Sequence, residues 1–153
     1  MNFKLAFHYL SYLQYPLMLV ALYFAFSPYL AGFAALKANP SLIFTSLNTA
    51  LIFMGLGISF SSLQDTSKMQ NKFSQNVWQN PAKGKLMIGL MCLMILLFLL
   101  LGLVGYFYSS PGILKDLSVG TIVLALGMFG FLKAAIEIFE EHRLDKRLDN
   151  NNQ

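Results

Sequence analysis

Residues 86–106 read LMIGLMCLMILLFLLLGLVGY, an unbroken stretch without a single charged side chain. A bilayer hydrocarbon core about 30 Å thick is crossed by roughly 20 helical residues rising 1.5 Å each. The stretch therefore predicts a transmembrane helix. Working outward, the same pattern recurs on both sides. No Lys, Arg, Asp or Glu lies between Lys4 and Lys37, between Lys37 and Asp65, or between Asp116 and Lys133. The last of these gaps is the shortest, and spans only if Lys133 reaches an interface. The expected fold is all-α: a polytopic membrane protein with four transmembrane helices in a compact bundle. The spans fall at about 12–36, 42–63, 86–106 and 117–136, within a single domain of 1–153. A loop at 64–85 and a helical tail at 137–153 complete it.

Composition agrees. Of the 153 residues, 56% are hydrophobic and only 12% are charged, against about 25% charged in a soluble domain. Too few polar residues are present to cover a water-soluble fold. One cysteine, Cys92, excludes an intrachain disulfide and any Cys-x-x-Cys redox or multi-thiolate metal site. The first apolar run extends to about Leu36, longer than the roughly 7–15 residues of a signal-peptide core, and is expected to be retained.

Within the chain, Pro16 and Pro28 are expected to kink the first helix, and Tyr9, Tyr12 and Tyr15 to form an interfacial belt. Lys37-Ala38-Asn39-Pro40-Ser41 reads as a tight turn. In the 64–85 loop, Met69, Phe73 and Val77 recur beside Lys68, Lys72 and Trp78, consistent with a short amphipathic surface helix or an extension of the second span, ended by Asn80-Pro81.

Charge placement sets orientation. With both termini on one side, that side carries Lys4, Lys68, Lys72, Lys83, Lys85, Lys133, Arg143, Lys146 and Arg147; the other carries only Lys37 and Lys115. Basic residues favour the cytoplasmic side. Both termini and the 64–85 loop are expected to be cytoplasmic, most simply in a bacterial inner membrane.

Three spans carry stripes of small or polar residues at alternating three- and four-residue spacing. The first reads Ser11, Gln14, Met18, Ala21, Ala25, Pro28, Gly32, Ala35; the second Ser41, Thr45, Asn48, Ile52, Gly55, Ser59, Ser62. The fourth reads Gly120, Val123, Gly127, Gly130, Ala134, Glu137, Glu141. Residues three and four apart share a helix face, and in lipid small residues let backbones approach while Ser, Thr and Asn bond across. The third span holds only Gly89, Gly102 and Gly105 among Leu, Met and Ile, and is expected to be the most lipid-exposed.

Chemistry is sparse. Asn48 is the most polar side chain deep in a span, and with Gln14 and Thr45 reads as an interhelical hydrogen-bonding residue. The candidate packing or pore-lining set is Asn48, Thr45, Ser59, Gly127 and Gly130. Lys133 and Glu137 form a candidate ion pair or partner contact at the cytoplasmic edge. No ionisable residue lies at depth to serve proton coupling. His8 and His142 fall outside the apolar cores. No phosphate loop or His-Glu-x-x-His motif occurs. No cofactor, metal or catalytic residue is expected, and the loop lysines read as lipid-headgroup contacts rather than nucleic-acid ligands. A membrane enzyme would have to assemble Asp65, Glu137, Glu140 and His142. The leading expectation is a non-enzymatic accessory or assembly subunit of a larger membrane complex, with lipid and other membrane subunits or a second copy as partners. The alternative is a small oligomeric channel or carrier with a polar seam through helices two and four.

Overall fold

A computed structural model of the chain describes residues 3–30, 32–64 and 76–144, all helix and connecting turns, with no strand among them. Four of its helical stretches are long and apolar enough to cross a membrane: Leu5–Leu30, Ser41–Ser61, Pro81–Tyr108 and Ile113–His142.

The first crossing is built from two segments, α1 (Phe3–Ser11) and α2 (Gln14–Leu30), followed by a short α3 (Phe33–Ala38). Pro16 lies in the first turn of α2, where its missing N–H costs nothing. The carbonyl of Tyr12 accepts instead from the N–H of Tyr15, at 3.1 Å. Pro28 lies inside α2, so the carbonyl of Phe24, four residues back, loses its usual donor. The Ser27 hydroxyl takes that place, donating to Phe24 O at 3.1 Å, a repair that a bilayer demands because no water is available there. The same Ser27 oxygen lies 3.4 Å from Ser46 Oγ on the next helix. Removing the hydroxyl in Ser27→Ala is expected to destabilise the fold by about 1–2 kcal/mol, read as a shifted midpoint of SDS-induced unfolding, with Ser27→Thr restoring it.

α4 (Ser41–Ser61) follows the turn at Asn39-Pro40, where Ser41 Oγ meets Asn39 Oδ1. α5 (Pro81–Tyr108) begins five residues before the sequence reading placed it. Asn80-Pro81 was expected to end a surface helix. It starts a spanning one: Asn80 Oδ1 accepts from the N–H groups of Ala82 (3.0 Å) and Lys83 (3.2 Å), with Pro81 in the first turn. Met69 and Phe73 of the expected amphipathic helix lie outside the described residues; Val77 lies in a single helical turn at 76–78. α6 (Ile113–His142) starts after Gly112, whose φ of +150° with ψ of −165° is open only to glycine.

Packing runs in series. α2 lies antiparallel to α4, with Phe24 stacked on Phe53 at 6.0 Å between ring centres and Met18 beside Gly57. α4 runs parallel to α6, pairing Asn48 with Gly120, Gly55 with Gly127 and Ser62 with Gly130. α5 lies antiparallel to α6, bringing Gly84 to Phe139 and Gly105 to Ser118. The order in space is thus α2, α4, α6, α5, with the parallel pair in the middle. Of the core of each span, 33% is buried in the fourth, 17% in the second and third, and 11% in the first. The first span, not the third, is the least covered. The reason is geometric: α2 is clasped on one face by α4 alone, whereas Gly84, Gly102 and Gly105 let α5 settle closely on α6.

Candidate functional site

The middle of the series, between α4 and α6, is where the sequence concentrates its polar and small residues. Two helices pack at 8–10 Å when ordinary side chains separate them; glycines bring the backbones closer. A methyl group added at Gly127 would overlap the Gly55 carbonyl, and one at Gly55 would meet Val123 O at 2.6 Å. At Gly120 it would meet Asn48 Oδ1 at 2.6 Å, and at Gly130 Ser62 Oγ at 2.7 Å. Backbone touches backbone along this seam.

Asn48 supplies a side-chain hydrogen bond that ties these two helices together. Its Oδ1 accepts from the Gly120 N–H at 2.9 Å, across 72 residues of sequence. Apart from Ser41, which meets Asn39, and Ser46, which accepts from Ser27 of α2, the hydroxyls on α4 and α6 turn inward to their own helices. Thr45 donates to Ser41 O (3.1 Å), Thr49 to Thr45 O (3.1 Å), Ser59 to Gly55 O (2.9 Å), and Ser62 to Ser59 O (2.7 Å). On α6, Ser118 donates to Leu114 O (2.7 Å) and Thr121 to Leu117 O (3.0 Å). Thr45 sits on the exposed side of α4, away from the glycine contacts. Asn48, Ser62, Gly127 and Gly130 are thus brought together along one seam, and Ser59 closes on the backbone of Gly55 within it. Asn48→Ala should cost only about 0.6 kcal/mol, the average of hydrogen bonds between membrane helices, because the tight backbone contact survives; SDS-unfolding midpoints measure this.

At the seam's far end Lys133 Nζ and Glu137 Oε1 pair at 2.8 Å, with 77% and 47% of the two side chains exposed. So open a pair contributes little to stability. Glu140 pairs with Arg143 at 3.3 Å, and His142 Nδ1 lies 2.9 Å from Ile138 O. Asp65, the remaining member of the conceivable catalytic set, lies outside the described residues, as do Lys68, Lys72, Lys146 and Arg147. Among the described residues no three of His, Cys, Asp and Glu gather to hold a metal.

Two features escaped the sequence reading. The first is the opposite face of α6. There Phe139, 4% exposed, covers Gly84, while Ser118 and Ile122 fill against Gly102 and Gly105. The seven-residue step from Gly84 to Met91, and again from Ile95 to Gly102, all four buried, was the available signal; leucines around it masked the period. The second is an apolar hollow of about 530 Å³ along α2, lined by Tyr15, Met18, Leu19, Ala21, Leu22, Ala25 and Met54. Its walls are almost wholly apolar, and Asn48 is not among its lining residues. No protein-family model, curated protein or solved structure matches this chain.

Proposed function

We propose that the chain is a non-enzymatic integral membrane protein serving as an accessory or assembly subunit of a larger membrane complex. One observation carries the reading. Thr45, Ser59 and Ser62 of α4 and Ser118 and Thr121 of α6 donate to carbonyls of their own chain segments, and the Asn48 oxygen is held by the Gly120 N–H. These bonds turn the described hydroxyl protons of the seam toward the protein, which favours a packing role over a pore lining. The helices instead form an open series whose two ends offer long faces to the membrane, a shape suited to receiving other helices.

The orientation we adopt places both termini in the cytoplasm, most simply at a bacterial inner membrane. Lys83, Lys85 and Arg143 share the end where α5 starts and α6 stops, and Lys37 and Lys115 lie at the opposite end. That asymmetry follows the positive-inside preference. In the assembled complex the series closes into a compact bundle, either on itself or around a partner helix. Copurification in mild detergent tests the proposal: a stoichiometric membrane partner is expected, and a lone monodisperse particle from native membranes overturns it.

A further inference from the structure

Among the hydroxyls inside the spans, one stands apart. Tyr23 lies midway along α2, bracketed by the contacts of Met18 with Gly57 and of Ser27 with Ser46. It is therefore level with the middle of α4, far from either aqueous surface. Tyr23 is 62% exposed, its ring pairs edge-on with that of the neighbouring Phe24, and its hydroxyl has no hydrogen-bond partner among the described residues. Serine and threonine at such depth satisfy themselves through a carbonyl three or four residues back, as Ser27 does. A tyrosine hydroxyl, held some 6 Å out from the backbone by its ring, cannot reach its own helix that way. Tyrosine belongs at membrane interfaces for this reason, and a lone hydroxyl facing hydrocarbon is unfavourable.

The residues beside it form a line. Leu19, Tyr23, Phe26 and Leu30 follow at steps of four, three and four, the spacing of one coiled-coil seam, with Tyr23 and Leu30 at equivalent positions. All four are exposed, Leu19 at 67% and Leu30 at 76%, and they look away from α4. The other end of the helical series differs. Between Lys85 and Tyr106, α5 has only apolar residues and Cys92, so acyl chains alone suit its outer face.

We propose that the Leu19–Tyr23–Phe26–Leu30 face of α2 is a self-association surface, occupied by α2 of a second copy of this chain. Two copies inserted in one membrane share an orientation, so a two-fold axis along the membrane normal sets α2 parallel to its mate with every residue at matching depth. In a parallel seam equivalent positions meet directly. Tyr23 then faces the Tyr23 of the second copy, and because a phenol both donates and accepts, each satisfies the other. A polar residue at such a position also fixes the register of the pair. The proposal deepens the assembly reading by naming one contact, and it rests on that reading only for placing the spans in lipid.

Disulfide trapping in native membranes tests it. In full-length chain carrying Cys92→Ala, single cysteines are introduced as Leu19→Cys, Phe26→Cys, Ala21→Cys and Ala25→Cys, and copper phenanthroline is added. A band at twice the chain mass is expected for Leu19→Cys and Phe26→Cys, and none for the two alanine positions that face α4. Adding Tyr23→Phe to Leu19→Cys is expected to lower the dimer yield about three- to tenfold, the effect of one interhelical hydrogen bond. No doubled band at the outward positions, a band only at the mass of a different protein, or equal trapping at Ala21→Cys overturns the proposal. So does a yield indifferent to Tyr23→Phe. A positive result stands even if copurification finds no other subunit.

Discussion

Gly127→Leu is expected to destabilise the protein by about 3 kcal/mol. The position offers no escape. The atom that an added Cβ would strike is the carbonyl of Gly55, which is backbone, so no rotamer change relieves the clash and α4 must move away from α6. With that movement go the Asn48–Gly120 hydrogen bond and the contact of Gly130 with Ser62. In lipid these packing contacts are the main source of helix association, since apolar surface gains nothing by leaving hydrocarbon. Gly89→Leu is the matched control. It lies on α5 with nothing within 4 Å of an added Cβ, and should shift stability by less than about 0.5 kcal/mol. Unfolding in SDS mixed micelles, followed by far-UV circular dichroism, reads both. Equal behaviour of the two variants would overturn the assignment of the α4–α6 contact as the core of the protein.

Phe139→Ala is expected to cost about 3 kcal/mol by leaving a cavity between α5 and α6. The ring is almost wholly covered, resting on Gly84 below and lying 5.7 Å from the Arg143 guanidinium. Its partner supplies a sharper test. An added Cβ at Gly84 would run into the Phe139 ring, so Gly84→Ala destabilises the native chain. In the Phe139→Ala background the same methyl enters vacated space and should be neutral or favourable. Such a sign reversal is the mark of direct contact between two residues. If Gly84→Ala has the same cost in both backgrounds, the ring does not sit where the structure puts it.

How much of this was legible in the sequence depends on what kind of signal each feature leaves. The spans were legible because apolar length is a one-dimensional property, and charge gaps mark it without reference to any neighbour. The stripe through Asn48, Gly55, Gly120 and Gly127 was legible because small and polar residues stand out against leucine. Helix boundaries were less so. Asn80-Pro81 reads equally as an end or a beginning, and only the position of the Asn80 oxygen over the following N–H groups decides it. The first span was legible in part: the interruption at Tyr12-Leu13 lies three to four residues before Pro16, where the proline removes the donor for the Tyr12 carbonyl and breaks the helical ladder, as expected of a kink. The α5–α6 contact stayed hidden for a different reason. Two of its three knobs, Ile122 and Phe139 beside Ser118, are ordinary apolar residues, indistinguishable by type from those that face lipid. Which apolar residue meets a glycine is a fact about the partner, and a single helix does not encode it.

The parallel placement of α4 beside α6 has a consequence for biogenesis. Neighbours that run the same way cannot be joined by a short turn, so the chain must thread α5 back through the bilayer before the central glycines can meet. The described helices thus form two hairpins, α2 with α4 and α5 with α6, and each is expected to enter the membrane as a unit before the two zipper together. Severed within residues 65–75 and coexpressed, the two fragments should find each other again through that one glycine track.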